Sequence, residues 1–270
     1  MNSVLITGAS GFIGLNFIQY LLKKNLNLKI FAISNRNKIN YKNSRLKIIK
    51  SDLVKDNLIK ILPKKIDCII HLASIRQPYL EKFYANEQIN TNFIMTSKLL
   101  EYARNFKINN FIFASTIYVY SGLGKKKFIE TMNLSPNEPL GYSKFLCEDL
   151  IKFYSQKYKI NSTIFRISTT YGPNSSKSQF IPMIINKLLS KKPKVLIDKL
   201  GLKRDFIYIE DVIEVLNRSL KKVSNQKKYF EVFNLSSGYS TSTNLVVLKL
   251  IKLLKVEKKR FKLKWITPKK

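Results

Sequence analysis

The first strand-and-loop of this chain constrains its fold more than any other segment. Asn2-Ser3-Val4-Leu5-Ile6-Thr7 is a short apolar run that closes on a polar residue, the pattern of a strand buried in a parallel sheet. Gly8-Ala9-Ser10-Gly11-Phe12-Ile13-Gly14 follows. Phe12, Ile13, Phe17, Ile18, Leu21 and Leu22 then recur at helical spacing across residues 12–22. Strand, glycine loop and helix in that order form the context that a dinucleotide phosphate site needs. Gly8 permits a tight turn, Gly11 lets the backbone approach a pyrophosphate, and Gly14 lets the helix pack closely on the strand. The first-turn N–H groups then face the phosphates, with Ser10, Phe12 and Ile13 completing the loop. A glycine triplet by itself also fits an ordinary tight turn. The flanking strand and helix decide for the dinucleotide reading.

A second strand is expected over Leu28–Ile33, and its tip reads Ser34-Asn35-Arg36. An NAD site usually carries a carboxylate there, about 20 residues past the glycines, to hold the ribose hydroxyls. None is present, and Arg36 suits a 2′-phosphate, so the tip favours NADP over NAD. The alternative is that Arg36 is one more surface cation on a very basic chain. The 270 residues accommodate one α/β core with a small additional lobe.

Further segments carry a resemblance. Ser51-Asp52-Leu53 closes a third strand, and Asp67-Cys68-Ile69-Ile70-His71-Leu72-Ala73 reads as a fourth. Asn92 to Glu101 reads as a helix, and Phe111-Ile112-Phe113-Ala114-Ser115-Thr116 as a fifth strand. Pro139-Leu140-Gly141-Tyr142-Ser143-Lys144 opens another helix. Arg166 to Pro173, Gln179 to Pro182, Arg204 to Val212 and Phe233 to Gly238 follow in order. Together these resemble the extended short-chain dehydrogenase/reductases, in the NAD-dependent epimerase/dehydratase group. The resemblance implies a Rossmann-type, doubly wound parallel sheet. Residues 1–165 would be the NAD(P)-binding core. Residues 166–270 would be an interleaved substrate lobe, with segments near 205–220 and 230–236 returning to the core. It implies that Asp52 and Leu53 lie near the adenine, that Leu72 and Ala73 underlie the nicotinamide ribose, and that Asn92 sits beside the active site. Thr116 and Lys144 would be catalytic, with Lys144 also on the cofactor ribose. Thr116, Thr169, Arg204 and Tyr208 would contact substrate, Arg204 through a diphosphate. His71, the only histidine, is expected to be a core group rather than a base.

The activity so implied is hydride transfer at C4 of a nucleotide-activated hexose, by a 4-epimerase or a 4-ketoreductase. A 4,6-dehydratase is disfavoured, because Ile117-Tyr118 stand where such relatives carry an acidic pair. One position departs from the family pattern. The family reads Tyr-x-x-x-Lys, and its tyrosine is the acid/base; here the residue four before Lys144 is Leu140. Leucine cannot carry a proton. Tyr142 falls on the wrong side of a helix to replace it, whereas Tyr118 and Tyr120 flank Thr116. Relatives also continue beyond a strand like Phe261–Ile266, so a chain ending at Lys270 implies a smaller, more open lobe. A catalytically silent NAD(P)- or sugar-nucleotide-binding relative is therefore a second reading.

The formal charge of +32 raises a third, an RNA-binding protein on the same fold. Yet only 8 of the 49 basic residues are Arg, leaving 41 Lys spread along the chain, with clusters at Lys125–Lys127, Lys191–Lys194 and Lys255–Arg260. That scatter, with abundant Asn, Ile and Tyr, reads first as compositional drift. Such a positive field would also draw in sugar nucleotides. Cys68 and Cys147 show neither metal spacing nor an evident disulfide partnership, and no metal site is expected. No run approaches the length of a membrane span, and Met1 leads directly into the first strand. A cytoplasmic protein is expected. The resemblance implies a homodimer through helices near 86–105 and 142–158.

Overall fold

The computed structural model describes residues 1–24, 27–35, 37–76, 85–120, 127–190, 194–198, 202–222, 230–255 and 262–266. The chain forms two compact units. One contains Met1–Ile167 and Asp211–Leu235, the other Ser168–Glu210 and Ser236–Lys270.

The first unit is a seven-stranded, wholly parallel sheet. Its strands are β1 (Ser3–Thr7), β2 (Lys29–Ser34), β3 (Leu46–Lys50), β4 (Cys68–His71), β5 (Asn110–Thr116), β6 (Asn161–Ile167) and β10 (Phe230–Leu235). Their order is β10-β6-β5-β4-β1-β2-β3. The chain runs outward from β1 through β2 to β3, then returns to lay β4 on the other side of β1. That reversal opens a crevice at the carboxyl ends of β1 and β4, the place where ligands bind in such sheets.

Burial on both faces explains the continuous apolar runs in the sequence. Leu5, Ile69, Phe111, Phe113 and Ile164 form one cluster with α3 (Ala85–Asn105) and α4 (Pro139–Tyr158) through Leu99, Leu100, Tyr102, Cys147 and Ile151. The alternate residues Val4, Ile6, Ile70 and Ile112 are equally buried, and strand periodicity places them on the opposite face. Helix α1 (Phe12–Lys23) contributes buried Phe17, Ile18, Leu21 and Leu22. It is joined to α6 (Ile209–Lys222) by the Tyr20 hydroxyl, which donates to Glu214 Oε2 at 2.9 Å. Pro139 occupies the first turn of α4, where its missing N–H costs nothing.

The second unit has β7 (Thr169–Tyr171), β9 (Lys203–Tyr208) and β11 (Ser240–Ser242) in one sheet, with β9 central. Strands β8 (Lys194–Asp198) and β12 (Lys262–Ile266) form a parallel pair. Helices α5 (Phe180–Leu188) and α7 (Thr243–Leu253) pack through Ile184, Leu188 and Val247. The Asp205 carboxylate ties this unit's strands to its 237–238 turn, accepting from Ser168 Oγ at 3.2 Å and from the N–H groups of Ser237 and Gly238 at 2.8 Å each. Because β9 pairs with β7 and β11, the return to the first unit begins at Asp211. Among the described residues, no helix is long and apolar enough to cross a membrane.

Candidate active site

The loop after β1 has the geometry of a phosphate cradle. Gly8 adopts φ +64, and a Cβ there would lie 2.6 Å from Ala73 N. The loop leaving β4 therefore passes directly over the loop leaving β1, at the switch point of the sheet. Gly11 precedes α1, and no side chain caps this helix. Its first hydrogen bond runs from Leu15 N–H to Gly11 O at 2.9 Å. The N–H groups of Phe12, Ile13 and Gly14 are thus the donors that a helix start leaves for an anion. No acidic residue sits in the first turn to compete. A dinucleotide pyrophosphate fits this set of donors.

The tips of β2 and β3 lie side by side. The Ser34 and Ser10 hydroxyl oxygens are hydrogen-bonded at 3.0 Å, so the second strand is tied to the cradle. Asp52 accepts from the N–H groups of Val54 at 2.9 Å and Lys55 at 3.2 Å. Burial pushes its carboxyl up, but these donors and the Asn35 amide outweigh burial and hold it below the ordinary value. Asn35 and Asp52 are thereby brought together. The Leu53 side chain is buried in the core. Arg36 lies outside the described residues, as do most positions of the three lysine clusters.

A buried polar chain runs beneath the cradle. Ala73 N–H donates to Thr7 Oγ1 at 3.1 Å. Thr7 Oγ1 and His71 Nδ1 are 2.7 Å apart, and His71 Nε2 and Thr96 Oγ1 are 3.0 Å apart. Thr96 gives its own proton away, to Asn92 O at 2.9 Å or to Cys147 Sγ at 3.2 Å. It must then accept from His71, which assigns the Nε2–H tautomer and makes Nδ1 the acceptor for Thr7. Burial, with the nearby Lys144 charge, holds the imidazole well below its usual pKa. His71 is a neutral core group that positions the β1 and β4 loops, and it has no free nitrogen for base chemistry.

Asn92 works in the same way. Its amide donates to Ser143 Oγ at 2.9 Å and Ile75 O at 3.2 Å, and accepts from Ile75 N–H at 2.9 Å. It pins the segment after β4 to the start of α4 and has both amide protons engaged within the protein. Ser143 in turn donates to Leu140 O at 2.8 Å. The sequence offered no signal for Ser143, Thr7 or Thr96, since each has a partner on another element 51 or more residues away.

Lys144 and Thr116 belong to the carboxyl end of β5. The Lys144 ammonium is buried, donates to Ala114 O at 2.9 Å, and stands 4.5 Å from the centre of the Phe113 ring. Burial pushes its pKa down to about 8, against the opposing pull of Cys147 and Glu148. Two ammonium protons remain for a ligand. Thr116 Oγ1 accepts from Tyr118 N–H at 3.3 Å, in the 3-10 turn Ile117–Val119 that follows β5. Leu140 is half-buried in the first turn of α4.

The depressed Lys144 pKa has a measurable consequence. Below pH 8 the folded protein carries a buried charge that the unfolded chain would solvate. Between about pH 8 and the unfolded value of 10.5 the unfolded chain binds the extra proton, so stability rises with pH. Urea unfolding at pH 7.5 and 9.5 should show wild type gaining about 2 kcal/mol relative to Lys144→Met. Parallel behaviour of the two proteins would mean that Lys144 is solvated.

The other expected substrate residues lie in the second unit. Thr169 pairs with Phe206 on β7 and β9, Arg204 pairs with Thr241, and Tyr208 pairs with Tyr171. All three are half-buried.

The cradle, the switch point and the β5 end lie together in the first unit, with donors that a dinucleotide pyrophosphate fits, and the comparison with known proteins gives the family. The model of the NAD dependent epimerase/dehydratase family matches residues 4–236. The chain belongs to this family. It is 31% identical over 266 residues to dTDP-D-glucose 4,6-dehydratase of Bos taurus, covering 93% of this chain and 73% of that protein. It is 29% identical over 252 residues to a putative UDP-glucose 4-epimerase of Methanocaldococcus jannaschii, covering 89% and 79%. A crystal structure of UDP-glucuronic acid 4-epimerase from Bacillus cereus, in complex with UDP-glucuronic acid and NAD, superposes with a TM-score of 0.83 at 26% identity. It covers 99% of this chain and 86% of that one. The family, the Rossmann-type fold and the class of cofactor bound by its neighbours are those that the sequence motifs implied.

Proposed function

We propose that this protein binds a nicotinamide dinucleotide and a nucleotide-activated hexose and transfers hydride at sugar C4, as a 4-epimerase or a 4-ketoreductase. The observation that carries the reading is the phosphate cradle at the sheet's switch point, formed in the same unit as Thr116 and buried Lys144. A bound dinucleotide supplies a hydride acceptor and donor. The protein's own groups do the rest. The first-turn N–H groups of α1, with Gly8, Gly11 and Gly14, hold the pyrophosphate. Ser34, Asn35, Asp52 and the backbone of Leu53 face the adenosine end, and Leu72 and Ala73 underlie the nicotinamide ribose. Lys144 holds the ribose hydroxyls with its two remaining protons and favours negative charge on a nearby oxygen. Thr116 donates to the reacting sugar oxygen. Arg204, with Thr169 and Tyr208, takes the substrate diphosphate and its flanking groups.

Dehydration across C5 and C6 would need a base for the C5 proton and an acid for the departing hydroxyl. Ile117 and Tyr118 follow Thr116, with no carboxylate at either position. This disfavours the 4,6-dehydratase reaction despite the similarity to such enzymes. The tip of β2 has no carboxylate to repel a 2′-phosphate, which favours NADP over NAD. Exposed Ile94, Phe153 and Tyr158 on α3 and α4 suit a homodimer interface.

A second reading has one observation in its favour. Leu140 removes the family's acid/base, so a silent sugar-nucleotide-binding relative is the alternative. The cradle supports either of these over RNA binding. The test is a titration of NADPH and NADH fluorescence, followed by turnover on UDP- and dTDP-linked 4-keto hexoses. NADPH binding with turnover is expected. Binding of dinucleotide and sugar nucleotide without turnover would leave the silent reading, and no dinucleotide binding would overturn both.

A further inference from the structure

We infer that Tyr118 replaces the missing phenol at position 140 and is this protein's catalytic acid/base. The inference rests on the hydride-transfer reading above and deepens it. Three tyrosines stand near the gap in sequence, and the structure separates them. Tyr142 is exposed on α4 at 44%, turned away from the buried Lys144 two residues on. Tyr120 is 3% exposed, and its hydroxyl is engaged twice. It accepts from Arg166 Nη1 at 2.8 Å and donates to Asn234 Oδ1 at 2.7 Å. It is a structural phenol.

Tyr118 differs from both. It is half-buried, and its N–H donates to Thr116 Oγ1, so this phenol and the catalytic hydroxyl arise from one turn. Its backbone also touches the helix start that carries Leu140. A Cβ placed on Gly141 would lie 2.1 Å from Tyr118 O and 2.8 Å from its carbonyl carbon. Position 118 is therefore a direct spatial neighbour of position 141, the residue after Leu140, although more than 20 residues separate them in sequence. Gly141 is what permits the approach. In reaction terms, the C4 carbinol C–H bond breaks as its hydride, with both electrons, passes to an oxidised nicotinamide dinucleotide. The O–H proton passes to the Tyr118 phenolate, leaving a C4 ketone and a neutral phenol. In reduction the phenol returns its proton to the alkoxide oxygen as hydride arrives at carbon.

The experiment compares wild type, Tyr118→Phe, Leu140→Tyr and the double variant Tyr118→Phe/Leu140→Tyr on the 4-keto hexose panel with NADPH. Tyr118→Phe should lower kcat by about 10³-fold with KM nearly unchanged. It should flatten the pH dependence of kcat without moving the melting temperature. The double variant should regain most of the lost rate, because a phenol is again present at the family's position. Unchanged kcat in Tyr118→Phe would overturn the inference while leaving the hydride-transfer reading intact. An inert wild type beside an active Leu140→Tyr would overturn it equally. If neither turns over, the functional reading itself fails and the inference falls with it.

Discussion

Gly14→Ala is expected to destabilise the protein by about 3 kcal/mol, a fall in melting temperature of roughly 6–12 °C for a chain of this size. The sign is the informative part. In an ordinary helix interior, alanine is more favourable than glycine by about 1 kcal/mol. Here a Cβ on Gly14 would lie 2.3 Å from Gly8 O and 2.9 Å from Ala9 Cα. Both are backbone atoms, so no rotamer change relieves the collision and α1 must back away from the β1 loop. Phe17, Ile18 and Leu21 on the same helix are completely buried and would be lifted from their packing. The first-turn donors would shift with the helix. Losing two charge-assisted hydrogen bonds to a pyrophosphate corresponds to about a 100-fold weaker dinucleotide. A thermal melt with and without NADPH reads both effects. Wild type should be raised by the ligand and Gly14→Ala hardly at all. Gly11→Ala is the control for the ligand-free melt, since its nearest obstacle is a single atom at 3.1 Å. Equal melting of Gly14→Ala and wild type would mean that the cradle is slack.

Removing either half of the buried Arg166–Glu148 pair should cost about 3–5 kcal/mol, because the remaining charge is left without its partner. Both side chains are 5% exposed. Arg166 Nη2 donates to Glu148 Oε2 at 2.8 Å, and Nε donates to the same carboxylate at 3.1 and 3.2 Å. The remaining valences are also filled. Ser115 Oγ donates to Glu148, and Arg166 Nη1 donates to the Tyr120 hydroxyl and to Glu130 O. The network joins β5, β6, β10 and α4 beside Thr116 and Lys144. Glu148→Leu and Arg166→Met should each be strongly destabilising, whereas the double variant should recover a large part of the loss. Chemical denaturation of the four proteins gives the coupling. Strict additivity of the two losses would show that the charges do not depend on each other.

Local patterns carried much of this protein's fold. The expected strand over residues 2–7 is β1 at Ser3–Thr7, and the helix over 12–22 is α1 at Phe12–Lys23. Likewise the expected helix opening at Pro139 is α4 at Pro139–Tyr158. Each is set by neighbours within a few residues, through apolar periodicity, glycine conformation or the restrictions at a helix end. The positions of Thr116 and Lys144 at the carboxyl end of β5 were legible for a related reason, since a short motif fixes each against the end of its own strand or helix. The status of His71 was legible only as a resemblance. Its neutrality and tautomer depend on Thr7 and Thr96, which arrive from other elements.

The sequence by itself determined the glycine loop and uncapped helix start after β1, the parallel α/β class and the absence of a phenol at position 140, because each is written in contiguous residues. Only the tertiary structure decided which tyrosine has its backbone against the helix start that carries that gap. Tyr118, Tyr120 and Tyr142 are nearly equivalent as letters. The contact of the Tyr118 carbonyl with Gly141, the Arg166 and Asn234 bonds of Tyr120, and the exposure of Tyr142 distinguish them. Those contacts join residues more than 20 positions apart. Packing of one element on another creates them, and no local propensity encodes which side chain is buried, bonded or left to act.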